Sequence, residues 1–199
     1  MNCEDNVLIH GVGHSGTRLF AAMAAALGWN TGKVNGTHET KELNRLNKLI
    51  LRGVGCGKAQ KQFLASLPSP WAIKCTRTVV TLDKWLPLLK PYKPAMLYVT
   101  RHPDAMSKTH RRPIAAKRSL GHKVSELCEI AREQYDAWPW QKWHVTFEQV
   151  ARWALQWGGG NRQKVVREVG EALPCLGDLQ PAFECVNLER ARKSLRAIQ

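Results

Sequence analysis

Acidic residues are scarce in this chain. Its 199 residues include sixteen Asp and Glu against thirty Lys and Arg, a formal net charge of +14 at neutral pH. That balance favours anionic partners: nucleic acid, a nucleotide, or a sulfated or phosphorylated substrate. Long apolar runs are missing too. None reaches the length of a membrane-spanning helix, so no membrane partner is expected. The first six residues have no basic region followed by an apolar stretch, and do not read as a secretory signal. The six cysteines (Cys3, Cys56, Cys75, Cys128, Cys175 and Cys185) form no C-x-x-C pair. They are expected to be reduced thiols in a cytoplasmic protein rather than a disulfide framework or a zinc site. The seven histidines show no H-E-x-x-H spacing, and no metal site is expected. Repeats and low-complexity tracts are absent as well. What remains is a chain with 44% apolar residues, enough for one globular core.

Along the chain, short apolar strands alternate with helical patterns. Strands are expected at 6–10, 71–74, 95–100 and 144–147. Helices are expected at 17–27, 39–51, 81–89, 124–137, 148–156, 161–172 and 188–197. Gly53 to Gly57 and Gly158 to Gly160 read as breaks, and 53–70 as a loop. Alternation of this kind implies an α/β fold, a three-layer parallel sheet in a single domain spanning 1–199, with 158–199 as a possible C-terminal helical extension. Five of the eight tryptophans fall in 138–157 and are expected mostly in the core.

Two motifs carry chemistry. The first is Gly11-Val12-Gly13-His14-Ser15-Gly16-Thr17-Arg18, between a strand and a helix. Glycines there let backbone N–H groups converge, and the helix N-terminus adds partial positive charge, which suits a phosphate-like anion. The spacing from Gly11 to Gly16 equals that of a nucleotide-binding P-loop. Thr17-Arg18, however, stands where that motif has Lys followed by Ser or Thr. The simpler alternative is a plain strand–helix turn. The second motif follows the strand at 95–100 and runs Arg101-His102-Pro103-Asp104-Ala105-Met106-Ser107-Lys108-Thr109. An ATPase commonly offers an Asp at such a strand end to hold magnesium. Arg101 there fits a site that neutralises phosphates with cationic side chains. The alternative for this run is a solvated basic face.

Taken in this order, the motifs resemble those of the sulfotransferase family, whose members use 3′-phosphoadenosine 5′-phosphosulfate as donor. The family's S-G-T loop is matched by Ser15-Gly16-Thr17, with His14 where Lys or Arg is usual. Its R-x-P motif, followed by a hydroxyl residue eight positions after the Arg, is matched by Arg101, Pro103 and Thr109. Trp71-Ala72-Ile73-Lys74 and His144-Val145-Thr146-Phe147-Glu148 also follow the family's order, so the resemblance spans roughly 7–150 at motif level. It implies that Gly13, His14, Ser15, Gly16, Thr17 and Arg18 hold the 5′-phosphosulfate, that Arg101 and Thr109 hold the 3′-phosphate, and that Lys74 lies near the transferred group. It also implies metal-free transfer to a hydroxyl or amine acceptor. The base is expected in His38-Glu39-Thr40-Lys41-Glu42, with Glu39 first, Glu42 second, and His38 and His14 as competitors. Two other functions stay open: a P-loop kinase acting on a small molecule or nucleotide, and a basic nucleic-acid-binding protein without catalysis. The absent P-loop lysine weighs against the first, and the absence of a recognisable nucleic-acid module against the second.

Overall fold

A computed structural model describes residues 5–102, 105–106, 123–174, 182–183, 186, 189, 192 and 195. Thr109 and Pro103 lie outside the described residues, as does most of the expected helix at 188–197.

The chain starts at the centre of its sheet. Strand β1, Val7–His10, is apolar but for its last residue and buried throughout, as a strand paired on both sides must be. It pairs in parallel with β2, Ala72–Lys74, and with β3, Ala95–Thr100; β3 in turn pairs with β4, Lys142–Thr146. The order is β2-β1-β3-β4, all parallel. Asn6 ties the entry to the sheet: its side-chain Oδ1 accepts from Trp71 N at 3.1 Å, and its carbonyl accepts from Ala95 N at 2.8 Å.

Alternation along the strands divides the core between the two faces. Val7, Ile9, Leu97, Val99 and Val145 pack with helices α1, Thr17–Ala26, and α6, Phe147–Gly158, and with α7, Arg162–Ala172. Leu8, Ile73 and Met96 pack on the other face with α2, Lys41–Ile50, α3, Gly57–Ala65, and α4, Leu82–Leu89. Helix α5, Val124–Asp136, and a 3-10 helix, Thr76–Val80, close over His10 and Tyr98 on that same side. The result is an α/β fold with helices on both faces of a parallel sheet. Among the described residues no helix is long and apolar enough to cross a membrane.

The structure departs from the expected elements at three places. The loop expected at 53–70 contains α3, which buries Gln60, Phe63 and Leu64. The 3-10 helix at Thr76–Val80 had no sequence signal. Strand β4 begins at Lys142 and ends at Thr146, whose hydroxyl accepts from Gln149 N at 3.1 Å and starts α6 one residue early. Past the Gly158–Gly160 break, α7 sets Val165 and Val169 into the same core as α1 and α6.

His10, the last residue of β1, is 1% exposed. Neither ring nitrogen meets a hydrogen-bond partner among the described residues, although the Gln134 side chain lies beside the ring. Burial pulls its pKa down to about 4, partly opposed by Gln134. The unfolded chain therefore binds a proton that the folded chain refuses between pH 6.5 and about 4. This contribution to stability is fully present above the unfolded value and is lost as pH falls toward the folded one. Urea unfolding of the parent and of His10→Leu should show the difference between them shifting by about 3 kcal/mol in favour of the variant from neutral pH to pH 4. A pH-independent difference would mean that His10 is not buried neutral.

Candidate functional site

In an open parallel sheet, ligands bind beyond the carboxyl ends of the strands, where the chain's direction of travel across the sheet reverses. Here the chain steps from β1 to β2, then crosses back over β1 to β3. The reversal falls between β1 and β3, and the glycine loop leaves β1 at that point.

Sterics shape the loop. Gly11 has φ 148, and a Cβ on it would stand 2.4 Å from the Val99 carbonyl oxygen, so the chain leaves β1 against β3 where a side chain does not fit. Ser15 N then donates to Val12 O at 3.1 Å, closing the turn. Gly16 has φ 106, and a Cβ there would lie 2.6 Å from the Phe147 ring. Helix α1 opens at Thr17 with no side-chain cap and no acidic residue in its first turn. Leu19 N donates to Gly16 O at 2.8 Å, while the amides of Thr17 and Arg18 and the positive end of the helix dipole favour an anion. The Ser15 hydroxyl is buried and finds no hydrogen-bond partner among the described residues.

Arg101 braces this loop. It follows β3 directly, and its guanidinium donates to the His14 carbonyl at 3.3 Å, lies 3.9 Å from Glu148 Oε1, and covers the Phe147 ring at 4.9 Å. Burial lowers its pKa and the Glu148 charge opposes that shift. The same Glu148 oxygen accepts from His102 N at 3.3 Å, fixing the chain as it leaves the strand. His14 sits at φ 70, a conformation that costs a non-glycine residue about 1–3 kcal/mol and persists only where surroundings enforce it. The Arg101 bond to its carbonyl is one such enforcement.

On the β2 side stands a buried cation. Lys74, 4% exposed, ends β2 beside Ile9 of β1. Its ammonium lies 3.8 Å from Glu39 Oε1 and donates to Thr37 O at 3.2 Å. The same Glu39 oxygen accepts from the Thr76 hydroxyl at 2.7 Å and from Thr76 N at 3.3 Å. Burial pushes the Glu39 pKa up, but the Thr76 hydroxyl, the Lys74 charge, the Thr76 amide and the Arg77 charge outweigh it, and the carboxyl stays below its ordinary value. The segment that carries Glu39 is held by Asn35, whose Oδ1 accepts from Thr37 N, Thr37 Oγ1 and Glu39 N within 3.0 Å. Inside this cage His38 adopts φ 53. Its pKa is lowered by burial and then by the charges of Arg18 and Lys74, so its imidazole is neutral at pH 7.

Of the residues singled out in the sequence, Arg101 meets the glycine loop directly, Glu39 meets Lys74, and His38 lies in the field of both Arg18 and Lys74. Glu42 stands apart, forked against Arg45 at 2.8 and 2.6 Å on the exposed side of α2. Sequence reasoning gave no role to Asn35, Thr37, Thr76 or Glu148. The Asn35-x-Thr37 pair is a legible turn signal; the Thr76 and Glu148 contacts join segments far apart in the chain and have none. Among the described residues, no three His, Cys, Asp or Glu side chains gather as a metal site. The chain matches no protein-family model and no curated protein.

Proposed function

We propose that this carboxyl edge binds 3′-phosphoadenosine 5′-phosphosulfate and that the protein transfers its sulfuryl group to a hydroxyl or amine acceptor. The observation that carries this reading is the uncapped start of α1 behind a glycine loop, with Arg101 bracing one side and buried Lys74 on the other. These residues fit an anionic group. The N–H groups of the α1 terminus, the Ser15 hydroxyl, which has no partner among the described residues, and the Arg18 charge all favour one. The motif order described above is what favours a phosphosulfate over a triphosphate.

In this reading Gly13, His14, Ser15, Gly16, Thr17 and Arg18 surround the 5′-phosphosulfate, and Arg101 with Thr109 serves the 3′-phosphate. Lys74 stabilises charge that develops on the sulfuryl oxygens. The acceptor oxygen or nitrogen forms a bond to sulfur as the sulfur–oxygen bond to the phosphate breaks. The bonding pair leaves on adenosine 3′,5′-bisphosphate, and the acceptor proton passes to a base. Glu39, held ionised, is the first candidate for that base. His38, neutral beside Lys74, is its rival, with His14 behind it.

Adenosine 3′,5′-bisphosphate should raise the melting temperature without added metal, and the rise should grow with ligand concentration. At about 100 times its dissociation constant the gain is about 2.7 kcal/mol, or roughly 5–10 °C for a chain of this size. Strong stabilisation by ATP-Mg with none by the bisphosphate would overturn the reading in favour of a kinase, and stabilisation by random DNA alone in favour of nucleic-acid binding. For the base, Glu39→Gln should leave bisphosphate affinity nearly unchanged and slow turnover by roughly 100- to 10,000-fold, read as bisphosphate release from the donor. Turnover within a few-fold of the parent, with loss in His38→Asn, would move the assignment to His38.

A further inference from the structure

Glu39 is held by one oxygen. The Thr76 hydroxyl donates to Oε1 at 2.7 Å, the Thr76 amide donates to the same oxygen at 3.3 Å, and the Lys74 ammonium lies 3.8 Å from it. Among the described residues Oε2 accepts no hydrogen bond, and it keeps some access to solvent. The holders are unequal. A hydroxyl 2.7 Å from a carboxylate is a short, charge-assisted hydrogen bond, whereas an ammonium at 3.8 Å attracts without fixing a direction. Thr76 therefore sets which oxygen faces inward, and Lys74 adds charge. Burial raises the Glu39 pKa, and the Thr76 hydroxyl comes ahead of Lys74, the Thr76 amide and Arg77 in bringing it down. The remaining titratable groups that face Glu39 are His38 on its own segment and the Cys75 thiol, which burial first and then the Glu39 charge keep protonated.

Thr76 is itself fixed from both flanks. It opens the 3-10 helix Thr76–Val80, straight after the extended Cys75. On one flank α2 grips that helix: Arg77 Nη1 donates to Asn44 Oδ1 at 2.7 Å, and Asn47 Nδ2 to Thr78 Oγ1 at 3.2 Å. On the other, Gln134 of α5 donates from Nε2 to the Val79 carbonyl at 2.8 Å. Glu39 lies in the turn held by Asn35, next to His38 at φ 53, and that turn fixes its backbone rather than its carboxyl. A general base needs its accepting atom within hydrogen-bond reach of the proton it takes, and a support on a rigid element supplies that aim. We propose that Thr76 is a positioning residue for the transfer: it pins Oε1 of Glu39, so that Oε2 is the atom presented to the acceptor. This role rests on the transferase reading above, with Glu39 as the base. As the acceptor oxygen bonds to sulfur, the pair of the breaking sulfur–oxygen bond leaves on the bisphosphate and the acceptor proton passes to Oε2. The Thr76 hydroxyl keeps its own proton and donates to Oε1 throughout.

The test compares, in the full chain, Thr76→Val, which replaces the hydroxyl by a methyl group, with Thr76→Ser, which keeps it. With 3′-phosphoadenosine 5′-phosphosulfate as donor and water as acceptor, turnover is read as release of adenosine 3′,5′-bisphosphate. Thr76→Val should slow it by about 10- to 100-fold, the scale of loss from a misplaced group, while Thr76→Ser stays within about threefold of the parent. Affinity for the bisphosphate should be unchanged in both. Without the hydroxyl bond the Glu39 pKa rises, so the acid limb of the pH–rate profile should move to higher pH in Thr76→Val alone. In a Glu39→Gln background, Thr76→Val should cost less than about threefold more, because the group it acts through is gone. The full loss reappearing in that background, or parent turnover in Thr76→Val, overturns the proposal. Turnover retained in Glu39→Gln removes the base, and this role with it, but leaves the nucleotide site standing. Failure of the bisphosphate to bind the parent overturns the transferase reading itself. One readout needs no turnover: the carboxyl carbon resonance of Glu39 should titrate at higher pH in Thr76→Val than in the parent or Thr76→Ser. An unshifted titration overturns the proposal whatever the rates. Should Thr76→Val fold poorly, Thr76→Ala removes the same hydroxyl.

Discussion

Everything at this site depends on how the chain leaves a strand that is hydrogen-bonded on both sides. β1 lies between β2 and β3, and at its carboxyl end the Val99 carbonyl stands where the next residue's Cβ would be. A residue without a Cβ is the solution, and Gly11 provides it at a φ that an L side chain rarely adopts. The chain then turns at once and starts α1 at the sheet's edge, so the helix N-terminus lies where the strand order reverses. Position and polarity follow together: a parallel sheet places every strand's exit on one side, and the first exit delivers a positive dipole end. Phe147, at the start of α6, fills the space beside Gly16 and in turn supports the guanidinium of Arg101.

Electrostatics then grade the edge. Lys74 is buried but keeps its charge company in Glu39, whose own charge is fixed by Thr76. A buried pair of this kind contributes little net stability, because desolvation offsets attraction, yet removing one partner is expensive. Its consequence here is positional. The ammonium is held near the strand ends, and burial, followed by the charges of Arg18 and Lys74, lowers the His38 pKa. A neutral imidazole and an ionised carboxylate thus sit side by side, two groups able to take a proton within one short segment. Beyond them the surface is basic along α2, where Lys41, Arg45, Lys48 and, just past the helix, Arg52 are exposed.

The parts of the fold that were legible in the sequence are those where one local rule decides. Val7 to Ile9 and Ala95 to Val99 are unbroken apolar runs, and fully buried parallel strands read that way. Gly11 and Gly16 mark the loop because a glycine-rich turn between a strand and a helix is a local signal; the Val99 carbonyl and Phe147 ring that crowd them are not. Helix α3 was hidden because it is short and buries only Gln60, Phe63 and Leu64, too few residues to set a period. The start of β4 was missed because Lys142 does not look like a strand residue; its ammonium instead donates to the carbonyls of Tyr135 at 3.1 Å and Asp136 at 2.8 Å, at the end of α5. At the site, residue identity was legible but connection was not. Arg101 reads as a phosphate ligand in the sequence, while its contact with the His14 carbonyl depends on β1 and β3 being neighbours. Glu39 reads as the first candidate for the base, while Thr76 and Lys74 enclose it only once β2 is in place.

The central claim is that the loop at the β1 exit, rather than the basic surface at large, receives the nucleotide. Amide proton–nitrogen correlation spectra recorded during a titration with adenosine 3′,5′-bisphosphate test this residue by residue. The account predicts the largest shifts at Gly13 to Arg18, with smaller ones at Lys74 and Arg101, and unmoved signals from α3. Shifts confined to the exposed faces of α2 and α7, with the amides of Gly13 to Arg18 unchanged at saturation, would contradict it.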